Sequence, residues 1–450
     1  MIVLTILIGV FGFGIMVFVH ELGHFLAAKA AGIEVEVFSL GWGKKMVGFT
    51  RGGTSYQISW FPIGGFCKLK GEEAITQAAA REKSSFYAAS PAQRIMVALA
   101  GPFANILFAV LVLSIIWWSG FAVYSDDNRI ILASEYGFAD GDGPSPAEKA
   151  DLRTGDRIIA INDEPVKHFQ DILESIAVSP EEELRLVLQR DTRRIVTTIT
   201  PALDYQTGSG RIGVYAWRDP VAGEVEPGGS AFLAGLREGD IILRLDDIEI
   251  RHTMDIFRVL SAQPPSVEVT YRRGERIEST DLRLSYGEGG VPEWGLSFAV
   301  NVYSSPSLGP LGALQKGLAE TWQTMTVTVK GIRLLLRGRD INVRNAVAGP
   351  LRITYYVGSV ATSGFSLGFS EGFVSFFRFL CLLSVVLFIM NLLPLPALDG
   401  GQTLIFLLEI IMRRPVSPKI ISRIQLFGFT VLIMLFVLIT FSDILFFLGR

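Results

Sequence analysis

The chain has 450 residues, half of them hydrophobic and only 19% charged, less charge than the roughly 25% usual for soluble proteins. That excludes a disordered chain. With 41 Lys and Arg against 44 Asp and Glu, there is also no basic excess of the kind that nucleic-acid binding calls for. Two cysteines, Cys67 and Cys381, cannot make a disulfide framework and are read as free thiols.

Apolar runs at 2–27, 95–118, 373–393 and 424–447 each approach the ~20 residues that a helix needs to cross a bilayer. The first lacks the basic start and small-residue cleavage site of a secretory signal, so it is read as a retained span. It carries His20-Glu21-Leu22-Gly23-His24. On a helix, positions i and i+4 share a face, so His20 and His24 can hold one Zn²⁺ while Glu21 takes a proton from water. Burial of these groups for packing alone is disfavoured, because ionisable side chains at membrane depth are costly and mark functional sites.

The loop 28–94 is rich in Lys and Arg (Lys29, Lys44, Lys45, Arg51, Lys68, Lys70, Arg81, Lys83, Arg94), and Arg413, Arg414, Lys419 and Arg423 follow the third run. The positive-inside rule therefore predicts both short loops in the cytoplasm, and both termini and the long 119–372 segment outside. Within the loop, 54–70 is expected to form two short strands joined through Pro62-Ile63-Gly64-Gly65, with Gly41-Trp42-Gly43 before them. The second span holds Gly101-Pro102-x-x-Asn105.

In the outer segment, 143–178 aligns without gaps on 227–262 at an offset of 84, with 11 of 36 positions identical. This is a duplicated domain rather than a solenoid unit. Each copy carries Leu-Arg-x-Gly-Asp (Leu152–Asp156, Leu236–Asp240) ahead of an alternating strand, where the Gly suits a tight turn. Both copies resemble bacterial PDZ domains, over 125–205 and 206–300, a class that captures extended peptides at a sheet edge. His168 and His252 occupy equivalent places, which duplication explains without a metal. Residues 311–336, with Lys316, Glu320, Trp322, Lys330 and Arg333, are expected to form an amphipathic helix at the membrane surface.

A catalytic zinc usually has three protein ligands and an open position, so two histidines leave one ligand to find. The third run leads into Asn391-Leu-Leu-Pro394-Leu-Pro396-Ala-Leu398-Asp399-Gly400-Gly401. The prolines stop regular helix and the glycines free the backbone. Asp399 thus falls in a broken segment beside apolar helix, tolerated only where protein or a water cavity surrounds it. It is the best candidate third ligand, against the alternative of an ordinary loop aspartate.

Together these motifs resemble the site-2 protease family of intramembrane zinc metalloproteases, in its bacterial regulator of sigma-E protease type, over nearly the whole chain. The resemblance implies that His20, His24 and Asp399 ligate zinc, that Glu21 is the catalytic glutamate and that Asn391 contacts the substrate backbone. It assigns Asn105 a structural or substrate-facing role. It also implies a membrane-dipping β-sheet around Gly64 and Gly65 whose edge pairs with unwound substrate. The expected architecture is a multi-pass α-helical membrane protein with four transmembrane helices (1–28, 95–118, 373–401, 424–447), a cytoplasmic loop with a small membrane-associated β-sheet (29–94), two tandem PDZ-like α+β domains and an amphipathic surface region (301–372). The implied partners are the lipid bilayer and single-span membrane substrates such as anti-sigma factors and signal-peptide remnants. The implied place is the bacterial inner membrane, with the active site towards the cytoplasm. The rival classes are an idle PDZ scaffold, which would not need Glu21, and a metal transporter, which would more often show inverted repeats within the membrane.

Overall fold

A computed structural model of the chain describes residues 2–72, 82–137, 143–205, 208–287, 290–337, 348–414 and 416–448. Arg81, with the rest of 73–81, and the stretch 338–347 of the expected surface region lie outside the described residues. The chain divides into two compact units, Met1–Phe121 with Ser305–Arg450, and Ala122–Ser304.

The first unit begins with α1 (Ile2–Ala30). Two long strands follow, β1 (Val35–Arg51) and β2 (Thr54–Leu69). They reverse at Gly52-Gly53, with φ of 56° and 80°, as a two-residue hairpin turn needs. The beginning of β1, Val37–Leu40, pairs on one side with Gly65–Lys68 and on the other with Ser55–Ile58, while Lys45–Arg51 pairs with Thr54–Ser59. The two expected strands of 54–70 therefore do not pair with each other across Pro62–Gly65. The start of β1 lies between them, and the tight turn falls on the glycine pair instead. Gly65–Leu69 is left as an edge of the sheet. Next comes α2 (Pro91–Ser119), started by a capping box in which the Ser90 hydroxyl accepts from Gln93 N and the Gln93 side chain accepts from Ser90 N, satisfying two otherwise orphaned donors.

The second unit contains the duplication. In the first copy, β3 (Arg157–Ile161), α3 (Phe169–Ala177), β4 (Leu184–Arg190) and β5 (Arg193–Ile199) are joined by a two-residue strand, Glu164–Pro165, in the sheet order Glu164–Pro165, β3, β4, β5. In the second, β6 (Ile241–Leu245), α4 (Thr253–Leu260), β7 (Ser266–Arg273) and β8 (Arg276–Arg283) repeat that order, with Ile248–Glu249 at the edge. Each copy has its own apolar core, around Ile158, Ile172 and Leu186 in one and Ile242, Ile256 and Val269 in the other. The shared Gly-Asp has a common task. Asp156 accepts from Arg153 N and from the Arg190 guanidinium, and Asp240 accepts from Arg237 N and from Arg273. The shared histidines precede α3 and α4, where Asp171 and Asp255 accept the backbone N–H groups of Lys167 and Arg251.

The chain returns to the first unit with α5 (Pro310–Arg337), which packs on α2 and leaves Leu311, Leu318 and Trp322 exposed. Then follow α6 (Pro350–Leu367), α7 (Phe369–Asn391), α8 (Asp399–Met412) and α9 (Pro418–Phe447). Among the described residues, four helices are long and apolar enough to cross a membrane: Val3–Ala30, Pro91–Ser119, Phe369–Asn391 and Lys419–Phe447. The expected third span, 373–401, is not one helix: α7 stops at Asn391 and α8 starts at Asp399, with the two prolines between. Arg94, expected in the loop, lies inside α2, buried and paired with Glu409 of α8. The last span exposes Leu426, Phe427, Met434 and Val437, a surface suited to lipid rather than water. Cys67 and Cys381 are both free.

Candidate metal centre

One turn of α1 separates His20 from His24, so their rings meet on one face. Their Nε2 atoms lie 3.1 Å apart. Asp399, the first residue of α8, completes the cluster, with Oδ2 3.3 Å from His20 Nε2 and Oδ1 3.6 Å from His24 Nε2. The broken segment makes this possible. Ala397 adopts a φ of 74°, and the carbonyls of Leu392 and Leu395 come so close to Gly400 and Gly401 that an added Cβ would stand 2.3 and 2.1 Å away. Only glycines let α8 start this tightly against the end of α7. The carboxylate also sits at the positive end of α8, which favours its charge.

The second nitrogen of His24 fixes its tautomer. A carbonyl oxygen can only accept, so the 2.8 Å contact between His24 Nδ1 and Val97 O requires a proton on Nδ1. The Nε2 lone pair is then free and faces the cluster. Asn105 is fully buried and meets the other histidine, its amide 3.2 Å from His20 Nδ1.

His20, Glu21, His24 and Asp399 line one cavity together with Asn391, Gln402, Val97, Phe66 and Cys67. Cys67 and Leu69 line this cavity beside Glu21, which brings the edge segment Gly65–Leu69 to the cluster. Gly65 reaches the same place: a Cβ there would come within 2.9 Å of Val17 Cγ1 and 3.3 Å of Glu21 Cγ. Gly64 faces the Trp42 indole instead, where a Cβ would lie 2.5 Å from Nε1. Sequence reasoning missed Val97, Cys67 and Gln402. Val97 acts through a backbone atom, which carries no residue signature, Cys67 is brought in by the edge segment, and Gln402 follows one helical turn after Leu398-Asp399 without any motif of its own.

The donor set fits zinc. Two imidazole nitrogens and a carboxylate are the kind of three-ligand set that leaves a position open. Their ligand atoms lie within 4.8 Å of one another, and among the described residues this is the one group of three or more such side chains placed to hold a metal. The 3.1, 3.3 and 3.6 Å separations approach the edge of a tetrahedron of ~2.0 Å bonds.

The model of peptidase family M50 matches residues 8–435. A Treponema pallidum protein named "Putative zinc metalloprotease" is 35% identical over 98% of this chain and 99% of its own. The "Regulator of sigma E protease" of Haemophilus influenzae is 29% identical over 96% of each chain. Among solved structures, the PDZ domain of an SdrC-like protein from Listeria monocytogenes matches 19% of this chain and 92% of its own at 18% identity, with a TM-score of 0.17, too low to bear on the fold.

Proposed function

The chain belongs to peptidase family M50, and from that premise we propose that it cuts the membrane-spanning segments of single-span proteins at the cluster of His20, Glu21, His24 and Asp399. It is a zinc metalloprotease of the site-2 type and a membrane protein. His20, His24 and Asp399 would hold the zinc. When bound, the ion supplies Lewis-acid chemistry, polarising the scissile carbonyl and acidifying the attacking water. Glu21 takes a proton from that water as its oxygen attacks the carbonyl carbon, then gives it to the departing amine nitrogen as the C–N bond breaks.

A transmembrane helix hides its carbonyls in its own hydrogen bonds. To be cut it must be drawn out, and a free sheet edge offers the replacement partners. Gly65–Leu69 is such an edge beside Glu21, with Asn391 on the same cavity wall. The two copies in the second unit are proposed to be PDZ-like domains outside the membrane, admitting substrates whose outer part has been trimmed. The substrates are proposed to be membrane-anchored regulators such as anti-sigma factors, cut at the cytoplasmic side of the inner membrane.

The convergence of three ligand atoms within 4.8 Å beside an edge strand carries this reading. Purified Glu21→Gln enzyme should keep its zinc and lose cleavage of a single-span substrate, because Glu21 is assigned the proton and not the metal. Near-normal cleavage by that variant would sink the mechanism. A scaffold or a transporter would be indifferent to the substitution in any proteolysis assay, since neither would cut.

A further inference from the structure

The Gly101-Pro102-x-x-Asn105 stretch is not used by the proteolytic mechanism above, yet it lies against both histidines. Val97, Gly101 and Asn105 are spaced four apart on α2 and so form one stripe along it. Each meets an imidazole. The Val97 carbonyl accepts from His24 Nδ1 at 2.8 Å. The His24 ring lies on Gly101 so closely that an added Cβ would fall 2.2 Å from Nε2 and 2.6 Å from Cε1. The Asn105 amide faces His20 Nδ1 at 3.2 Å, is fully buried, and has a buried oxygen without a hydrogen-bond partner among the described residues. The helices can approach this far because Gly23, between the histidines, meets the Ala100 carbonyl where a Cβ would stand 2.3 Å away.

We infer that this stripe is the positioning plate of the metal centre, with Asn105 setting the tautomer of His20 and Gly101 seating the ring of His24. The inference rests on the zinc assignment of His20, His24 and Asp399. A metal on His20 Nε2 leaves the ring proton on Nδ1, and that proton needs an acceptor. The two ends of a carboxamide have nearly the same shape, so a half-turn of the Asn105 amide brings its unpartnered oxygen to Nδ1. The amide then accepts from the imidazole, as outer partners of metal-bound histidines do. Asn105 is thereby a positioning residue, acting through His20 rather than on the substrate.

The test compares full-length wild-type enzyme with Asn105→Leu, Asn105→Asp, Gly101→Ala and His24→Ala. Zinc content is measured after graded chelator, and the visible absorption of the cobalt-substituted forms is recorded. Asn105→Leu keeps the volume and removes the acceptor, and Gly101→Ala displaces the His24 ring. Both should release zinc about 10-fold or more readily and shift the cobalt bands. Asn105→Asp restores an acceptor and should hold zinc as wild type does. Wild-type zinc retention and cobalt bands in Asn105→Leu would overturn the inference. So would release from Asn105→Asp equal to that from Asn105→Leu, and this comparison decides the matter if thermal unfolding shows the leucine variant to be damaged. Full retention of zinc by His24→Ala would instead remove the zinc assignment itself.

Discussion

Asp399 contributes a charge as well as a position. Its two oxygens face different histidines, and the amide of asparagine would place a neutral group, half of it a donor, between them. Asp399→Asn should therefore weaken zinc binding by about 10-fold or more, the scale at which even outer-shell losses act. Asp204→Asn in the second unit should leave binding unchanged. Equal zinc retention by both variants under chelator would place the third ligand elsewhere. His252 supplies a different single-residue test. It is fully buried, 3.1 Å from the Tyr136 hydroxyl and packed on Trp217. Burial, with Arg251, Arg129 and Arg258 nearby, holds its pKa below the ordinary 6.5 despite the opposing charge of Asp255. The unfolded chain then binds the proton first, so stability is constant above about pH 6.5 and is lost as pH falls from there towards the folded value. Asp255 is also held below its ordinary 3.8, because the Arg251 N–H and the Tyr136 hydroxyl outweigh the effect of burial, and so adds its loss only at lower pH. Residues 122–304 contain both of their own cores and can be produced alone. Their thermal midpoint should drop between pH 7 and 5, and His252→Asn should flatten that drop; an undiminished drop in the variant would assign it to other groups.

At the scale of elements, α8 has to be held at both ends for Asp399 to stay on the histidines. Its start is fixed by the tight packing of Gly400 and Gly401. Its far end is fixed by Glu409, which is buried, accepts from Val416 N and pairs with Arg94 of α2. The Arg94 guanidinium also stacks 4.6 Å over the Phe406 ring. Removing one partner of such a pair leaves an uncompensated buried charge, at a cost of about 3–5 kcal/mol, whereas replacing both by apolar residues is often neutral. Arg94→Met and Glu409→Met should each lower the unfolding midpoint of the whole enzyme, and the double variant should recover much of the loss. Additive losses would mean that the pair is not the clamp. This element could not be read from the sequence: its partners are 315 residues apart, and Arg94 counts there only as one more basic loop residue. The histidine pair was legible because helical spacing alone brings it together, and Asp399 because prolines and glycines around an isolated carboxylate are hard to explain otherwise. The sheet was legible in content but not in pairing, since a strand's neighbour is decided by turn geometry and by what packs beneath it. The duplication was legible from Leu-Arg-x-Gly-Asp, but the partners of the two aspartates, Arg190 and Arg273, were not. They stand 83 rather than 84 apart because the connection before β7 is one residue shorter than that before β4.

For the molecule as a whole, the decisive fact is where the second unit is inserted. It interrupts the first unit between Phe121 and Ser305, so a protease with its own helices and metal centre carries about 180 residues within one of its connections, on the chain length that follows from those bounds. The strands at the entry and exit, Phe121–Tyr124 and Val302–Ser305, pair with each other. The chain therefore leaves the first unit and rejoins it at neighbouring points, and the insert can be excised without stretching what remains. Two roles predict opposite results. If the insert captures substrate by strand addition, removing it lowers cleavage. If it admits substrates by size, removing it lets untrimmed substrates with bulky outer domains be cut. Size selection is the stronger expectation, because an unselective protease would destroy the membrane proteins around it. The experiment replaces 122–304 by a short flexible linker and compares full-length with trimmed substrate. Cleavage of full-length substrate by the excised enzyme is the expected result, with trimmed substrate cut as before. Continued rejection of full-length substrate, with trimmed substrate cut at the intact rate, would show that selection resides in the first unit.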